Sequence, residues 1–441
     1  MWRSRVHAAH VIGSRIELLI YLGLLRESRN DRVLMADSKA HHWQFAPRFR
    51  RNAFGWRSQP AIMRVREAVT EIRKAARRAP LLAADGAVLF LGKISPALEQ
   101  VDSSSGAIGT AVNHAIEELV SIIAKAPADL VQRATWLERL WEALMLDAIP
   151  YIERLGDFWG ELCVSKVLAT AWADNLIEPL RQSWANPRVG SYFQGTSACL
   201  SSLLAAERYQ ELLELLETAP SIWWEYRRWG VRALVSMGRL DEAIRYAEAP
   251  RGLNDNPELI ARTCEEILLS LGRSTEAYER YAIGANRGTS RAATYRAIAR
   301  KYPEQQPAQI LKDLIASTPG EEGKWFAAAK EVGLLQMAIE LANQSPCDPK
   351  TLTRAARDFI DINPVFALEA GLAALHWLSA GFGYEITGID VRAAYSYTIN
   401  AAERIGRRDE VQKRIRALVT GHRFLVEVLG PELGLIGKYA T

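Results

Sequence analysis

The residues with the clearest chemical capacity are guanidinium groups set among aromatic rings. Arg48, Phe49, Arg50, Arg51, Phe54, Trp56 and Arg57 follow one another closely. Guanidinium forks grip phosphates and flat side chains stack on bases, so this interleaving suits exposed nucleic acid. The same residues equally suit a clip onto the chain's own fold, with rings turned inward and arginines paired to carboxylates. Docking onto another protein is the third use. A second cluster lies in SIWWEYRRWG, which holds Trp223, Trp224, Tyr226, Arg227, Arg228 and Trp229. Large aromatics and arginine are enriched at binding hot spots. Residues four apart share a helix face, which puts Trp224 and Arg228 on one candidate contact surface and leaves Trp223 and Trp229 as core. Packing of the whole stripe into a core is the competing reading. The candidate binding set is therefore Arg48, Arg50, Arg51, Trp56, Arg57, Trp224, Arg227 and Arg228.

Other reactive side chains form no recognisable constellation. Asp102-Ser-Ser-Ser-Gly has the look of an anion-binding turn at a helix start, but it lacks the P-loop lysine pattern, and helix capping by Asp102 or a nearby serine explains it. Glu117 and Glu118 read as solvated charges on that helix. His7, His10, His41, His42, His114, His376 and His422 form no paired metal spacing. Cys163, Cys199, Cys264 and Cys347 are 36, 65 and 83 residues apart, which is neither a zinc nor a disulfide pattern, so they read as free thiols buried in helices. No catalytic, cofactor-binding or metal-binding residue is nominated.

Charge is unevenly placed. The first 80 residues hold 17 Lys/Arg against 6 Asp/Glu, and the rest hold 38 against 45. A basic N-terminal region thus precedes a mildly acidic body. The apolar fraction of 49% is that of a folded chain, and 441 residues exceed one ordinary core. The longest N-terminal apolar stretch, LLIYLGLL at 18–25, falls far short of the roughly 20 residues that span a bilayer. A cytoplasmic protein with no membrane span is the expectation.

The elements that position these residues announce themselves as a repeat. AAERYQELLELLE at 205–217, SMGRLDEAIRYAE at 236–248 and SLGRSTEAYERYA at 270–282 share one phrase, and weaker copies follow. Anchors at Leu212, Ala243, Ala277, Ala308, Ala338, Ala367 and Val411 are 31, 34, 31, 30, 29 and 44 residues apart. A period in the low thirties is that of a helix–turn–helix unit of tetratricopeptide length. The last spacing contains an inserted loop, SAGFGYEITGID at 379–390. Small anchors let helices approach closely, so Ala308→Asp is expected to destabilise the array strongly.

Upstream, a helix is expected from Pro60, with Ile62, Val65, Val69 and Ile72 inward and Arg64, Arg66, Arg73, Lys74, Arg77 and Arg78 on the opposite face. The fold class is all-α: an irregular helical lobe leading into an α-solenoid of tetratricopeptide-like hairpins, a right-handed superhelix of about seven pairs. The expected segments are a doubtful leader at 1–34, a basic aromatic segment at 35–60, a helical lobe at 61–190 with its boundary in NPRVGSYFQGTSA, and the repeat domain at 191–441.

RFRRNAFGWRSQPAI, SPALEQVDSSSGAIGTAVNHAI, STPGEEGKWFAAAKEVGL, SPCDPKTLTRAARDF and YEITGIDVRAAY resemble segments of a bacterial family of α-helical repeat proteins that has no assigned activity. The resemblance implies an all-helical repeat fold and brings no site residues. It begins near His42, which points to Met35 as the native initiator and to 1–34 as upstream sequence.

The function expected is that of a scaffold or adaptor binding a protein or peptide along its repeats. The alternatives are nucleic-acid association through 48–78, or an enzyme whose site is dispersed in sequence.

Overall fold

A computed structural model describes residues 41–185, 192–249 and 256–435. The leader at 1–34, the start of the 35–60 segment, His7, His10 and Met35 lie outside the described residues. Among the described residues every regular element is a helix and none is a strand. The chain divides into two compact units, Met1–Asp255 and Asn256–Thr441. The boundary expected near 190 falls inside the first of them.

In the first unit α1 (Ser58–Ala76) carries Pro60 in its opening turn and buries Ile62, Val65, Val69 and Ile72, as its spacing predicts. It packs on α2 (Pro80–Leu98) and α3 (Ala107–Lys125). By length and composition α2 and α3 are apolar enough to cross a membrane, which the sequence reading missed. Burial accounts for much of that apolarity in α2, whose inner side runs from Ala83 to Leu98 in the unit's core. Next come α4 (Leu130–Met145), with Trp136, Leu140 and Leu144 buried, a 3-10 turn at Glu153–Phe158, and the short α5 (Trp159–Cys163). α6 (Lys166–Ala185) and α7 (Thr196–Ala205) pack on each other across the expected boundary, which is why 190 does not divide the fold. Trp141, Trp159 and Trp172 meet with ring centroids 5.1 to 5.7 Å apart at the centre of this unit. Gly160 lets α5 lie on α7: a Cβ there would come within 2.5 Å of the Ser201 carbonyl oxygen, and its N–H donates to Ser201 Oγ at 2.9 Å.

The remaining helices of the first unit are α8 (Tyr209–Glu217), α9 (Trp224–Ser236) and α10 (Leu240–Glu248). The second unit holds α11 (Pro257–Ser270), α12 (Ser274–Ala285), α13 (Arg291–Lys301), α14 (Pro307–Ala316), α15 (Phe326–Glu331) and α16 (Leu335–Gln344). It ends with α17 (Pro349–Phe359), α18 (Pro364–Ser379), α19 (Gly388–Arg404), α20 (Arg408–Val419) and α21 (Arg423–Leu433).

The repeated phrase is a hairpin turn. Glu207, Gly238, Gly272, Gly333 and Gly406 all take positive φ, between 60° and 79°. The next residue sends its N–H back five positions, as in Arg239 to Leu234 and Arg273 to Leu268, both at 2.9 Å, which satisfies a carbonyl the ending helix leaves open. In four copies that residue is arginine. Arg208, Arg239, Arg273 and Arg407 each donate through Nε to a glutamate three residues on, at 2.7, 2.7, 2.8 and 2.9 Å. Each glutamate also sits in the first turn of its helix, where the helix dipole favours an anion. The anchor then follows as the fourth helical residue, its N–H closing the first turn onto the residue before the helix.

One anchor needs correction. Leu212, Ala243, Ala277, Ala338, Ala367 and Val411 are buried fourth residues of their helices, but Ala308 is the second residue of α14 and only half-buried. Ile310 is the fourth, is 1% exposed, and donates to the Gln306 carbonyl at 3.1 Å. Pro307 opens α14 two residues later than the period assumes, which moves the anchor from Ala308 to Ile310. The wide final spacing has two causes: a loop at 380–387, and the length of α18 and α19. The last residues of the expected insertion, Gly388–Asp390, already belong to α19, where Thr387 and Asp390 form a capping box.

Connectors carry their own caps. Asn256, Asp348 and Asn363 accept first-turn N–H bonds just ahead of Pro257, Pro349 and Pro364, which need none. Thr196 does not cap α7, however. Gly195 holds that position, and the Thr196 hydroxyl donates instead to the Phe193 carbonyl at 2.6 Å.

Candidate functional site

The basic aromatic segment is largely a clip. Trp43, Phe45 and Phe49 are buried, with Phe45 and Phe49 edge-on to Phe90 of α2 at 5.4 and 4.9 Å. Gly86 makes room for Trp43, whose ring would lie 2.3 Å from a Cβ there. The N–H groups of Gln44 and Phe45 donate to Glu71 at 2.8 and 3.1 Å. Arg48 pairs with Glu67 at 3.2 Å, and Arg51 with Glu99 at 3.0 Å. Burying three rings stabilises by about 1.5–3 kcal/mol apiece, whereas exposed ion pairs contribute about 0–1 kcal/mol. The rings therefore hold the segment, and the pairs fix its register. Arg48 and Arg51 of the candidate binding set are thus paired to carboxylates, as the clip reading expects.

Trp56 is the aromatic that this burial leaves out, at 71% exposed. Its carbonyl accepts the Asp102 N–H at 2.9 Å, which pins the backbone while the indole faces outward. Trp56, Arg57 and the exposed Met63 line a cleft of about 670 Å³. Arg64 and Glu67 are shared with a larger cleft of about 1100 Å³, which is also lined by Arg66 and Lys74 of α1 and by Arg77 and Arg78, which lie just past the helix end rather than on its outer face as expected. Arg64 is tied to Glu67 at 2.6 Å, and Arg73 lies 3.2 Å from Glu118. Arg66, Lys74, Arg77 and Arg78 have no ion-pair partner among the described residues. Arg50 is exposed as well. The arrangement offers an exposed indole in one cleft and uncompensated cations in the neighbouring one, with Arg64 and Glu67 between them.

The second cluster separates. Trp224 is 6% exposed and Arg227 8%, so neither lines the accessible surface expected of them. Arg227 instead lies over the Tyr246 ring at 4.6 Å. Trp223 is the partly exposed member and Trp229 is core. The reason is register: α9 begins at Trp224, which turns that residue inward. Arg228 reaches a cleft of about 520 Å³, where its Nη2 meets Asp157 at 2.6 Å. Arg232, one turn further along α9, enters the same cleft and was missed. Its i, i+4 spacing from Arg228 was the available signal.

Asp102 is not a helix cap. It accepts the Ser104 N–H at 2.9 Å, which holds its carboxyl below the usual range, while Gly106 occupies the cap position of α3 and Ser105 Oγ receives the Ala107 N–H at 3.4 Å. Glu117 is not simply solvated either, since it pairs with Arg154 at 2.6 Å. All four cysteines are buried, and burial pushes the Cys347 thiol up to about 12. Cys163 and Cys199 are raised for the same reason. Among the described residues no three His, Cys, Asp or Glu side chains gather as metal ligands.

No family model, curated protein or solved structure matches this chain. Its functional reading rests on the geometry above.

Proposed function

We propose that the chain is an α-helical repeat scaffold that binds a partner protein or peptide, with the Trp56–Arg57–Met63 cleft as a principal contact. The carrying observation is Trp56: its segment buries Trp43, Phe45 and Phe49 yet holds this indole 71% exposed on a pinned backbone. Trp, Arg and Met side chains are the types enriched at protein interfaces. The architecture supports the same reading. Seven hairpins, from α7–α8 to α19–α20, pack in pairs, and helices of the second unit contact their next-nearest neighbours as well, as stacked tetratricopeptide-like hairpins do. The resemblance to a bacterial helical-repeat family belongs to this reading. The test is affinity capture by the full chain and by Trp56→Ala/Arg57→Ala, with and without nuclease. A discrete protein partner that survives nuclease and is lost with the double variant is the expected result. Equal capture by both proteins would refute the assignment of the cleft.

A second reading is favoured by the α1 face. Arg66, Lys74, Arg77 and Arg78 line the larger cleft along and just past α1, and Trp56 lines the cleft at its other end, so a single strand laid along the helix could set phosphates on the cations and a base on the indole. Four neutralised phosphates imply a slope of about −3 for log affinity against log salt. A flat salt dependence in anisotropy titrations with oligothymidylate would dismiss it.

A further inference from the structure

The 520 Å³ cleft of the first unit is walled by the 3-10 turn, α5, α7 and α9, with Glu117 of α3 at its edge. Six charged side chains line it. Arg154 and Glu117 cancel at 2.6 Å, and Arg228 and Asp157 cancel at 2.6 Å. Arg228 is further held by Glu225, with its Nε 3.1 Å from both the carbonyl oxygen and Oε2 of that residue. The two remaining charges are Arg232 and Glu161. Arg232 has no hydrogen-bond or ion-pair partner among the described residues. Its guanidinium lies 4.9 Å over the Trp229 ring, which it shares with Arg228 at 5.0 Å. The cleft walls strip water from Arg232 and the Arg228 charge opposes it, so its pKa is depressed despite its exposure. An unneutralised guanidinium held in this way is stabilised by an arriving anion.

The rest of the cleft decides which anion. Its paired and unpaired charges sum to zero, and Glu161, Glu117 and Asp157 oppose a polyanion. Leu204 and Ala205 of α7 supply apolar wall beside the cation. We propose that this cleft reads an acidic peptide segment of a partner protein, one carboxylate pairing with Arg232 and an adjacent apolar side chain lying on Leu204 and Ala205. The inference rests on the partner-binding reading and names the chemistry of that partner at a site distinct from the Trp56 cleft.

The test is fluorescence anisotropy of the full chain with a short fluorescein-labelled peptide that carries a single Glu flanked by Leu. The same peptide with Gln for Glu and an oligothymidylate of equal length serve as comparisons. The acidic peptide is expected to bind best. Arg232→Met keeps the apolar stem and removes the fork, and is expected to weaken binding about tenfold. Arg232→Lys should recover part of the loss, and Glu161→Gln should tighten binding. Equal affinity for the Gln peptide, no binding of the acidic peptide, preference for the oligothymidylate, or indifference to Arg232→Met would each overturn the proposal. The Gln comparison uses the unaltered protein, so it decides even where a variant fails to fold. A partner captured through Trp56 but indifferent to Arg232 would leave the scaffold reading standing and remove this one. Loss of capture by the unaltered chain would remove both.

Discussion

The wholly buried carboxylate of Glu265 receives the Lys301 ammonium at 2.6 Å, joining α11 to α13 across 36 residues. Tyr302 OH donates to the same group at 2.6 Å and Asn286 Nδ2 at 2.7 Å, so three neighbouring elements converge on one charge. Burial and that carboxylate together raise the Tyr302 pKa, which keeps its hydroxyl a donor. A carboxylate with no solvent survives only when its lone pairs are filled.

Removing a donor should therefore cost more than removing the network. Lys301→Met is expected to destabilise the second unit by about 3 kcal/mol, because it leaves a buried charge short of its counterion. Tyr302→Phe should cost about 1–2 kcal/mol. Lys301→Met combined with Glu265→Leu should recover much of the loss. Urea titrations of these variants and of Glu265→Leu alone measure this, and a double variant as weak as the sum of its two single variants would show that the charges are not coupled.

The repeat register makes a sharper comparison. Ile310→Asp places a carboxylate at a 1% exposed anchor and should abolish cooperative unfolding of the second unit or lower its midpoint severely. Ala308→Asp, on a half-buried position in the first turn of α14, should have a mild effect, helped by the helix dipole. Thermal melts that rank the two the other way would restore the register read from the period alone.

Asp147 supplies a pH dependence. It accepts from Ser95 Oγ, from Ile152 N at 2.7 Å and from Tyr151 N at 3.3 Å, yet burial outweighs these bonds and raises its pKa. Folding thus favours the protonated form relative to the unfolded chain. The stabilisation from this group is complete below the ordinary aspartate pKa and is lost as pH rises through the elevated one. Asp147→Asn removes the titration. The melting temperature of the variant relative to the unaltered protein should be highest above the elevated pKa and fall as pH drops through it toward the ordinary aspartate range. Comparing the two proteins at each pH cancels the surface carboxylates, and a constant difference would show that Asp147 titrates normally.

Two aromatics of one segment should behave oppositely. Phe49→Ala is expected to cost about 3–5 kcal/mol, since its ring is buried against Phe90. Trp56→Ala should change stability by no more than about 0.5 kcal/mol and act only on binding. Denaturation of both variants separates clip from contact, and a large loss for Trp56→Ala would make the indole structural.

What the sequence determined by itself is local. The Gly-Arg-x-x-Glu turns at 238, 272 and 406, the Asn-Pro and Asp-Pro helix starts and the inward stripe of α1 are legible because their bonds span five residues or fewer. The all-helical class follows from them. Tertiary packing decided which charges are spent. Arg48 and Glu67 are 19 residues apart, Arg51 and Glu99 are 48 apart, and Arg228 and Asp157 are 71 apart. No period or composition couples such positions. The same packing turned Trp224 inward, left Trp56 outside and set Arg232 in a cleft where none of the described carboxylates pairs with it. A side chain's availability for a partner depends on which distant residues the fold brings beside it, and that is a property of the packed chain alone.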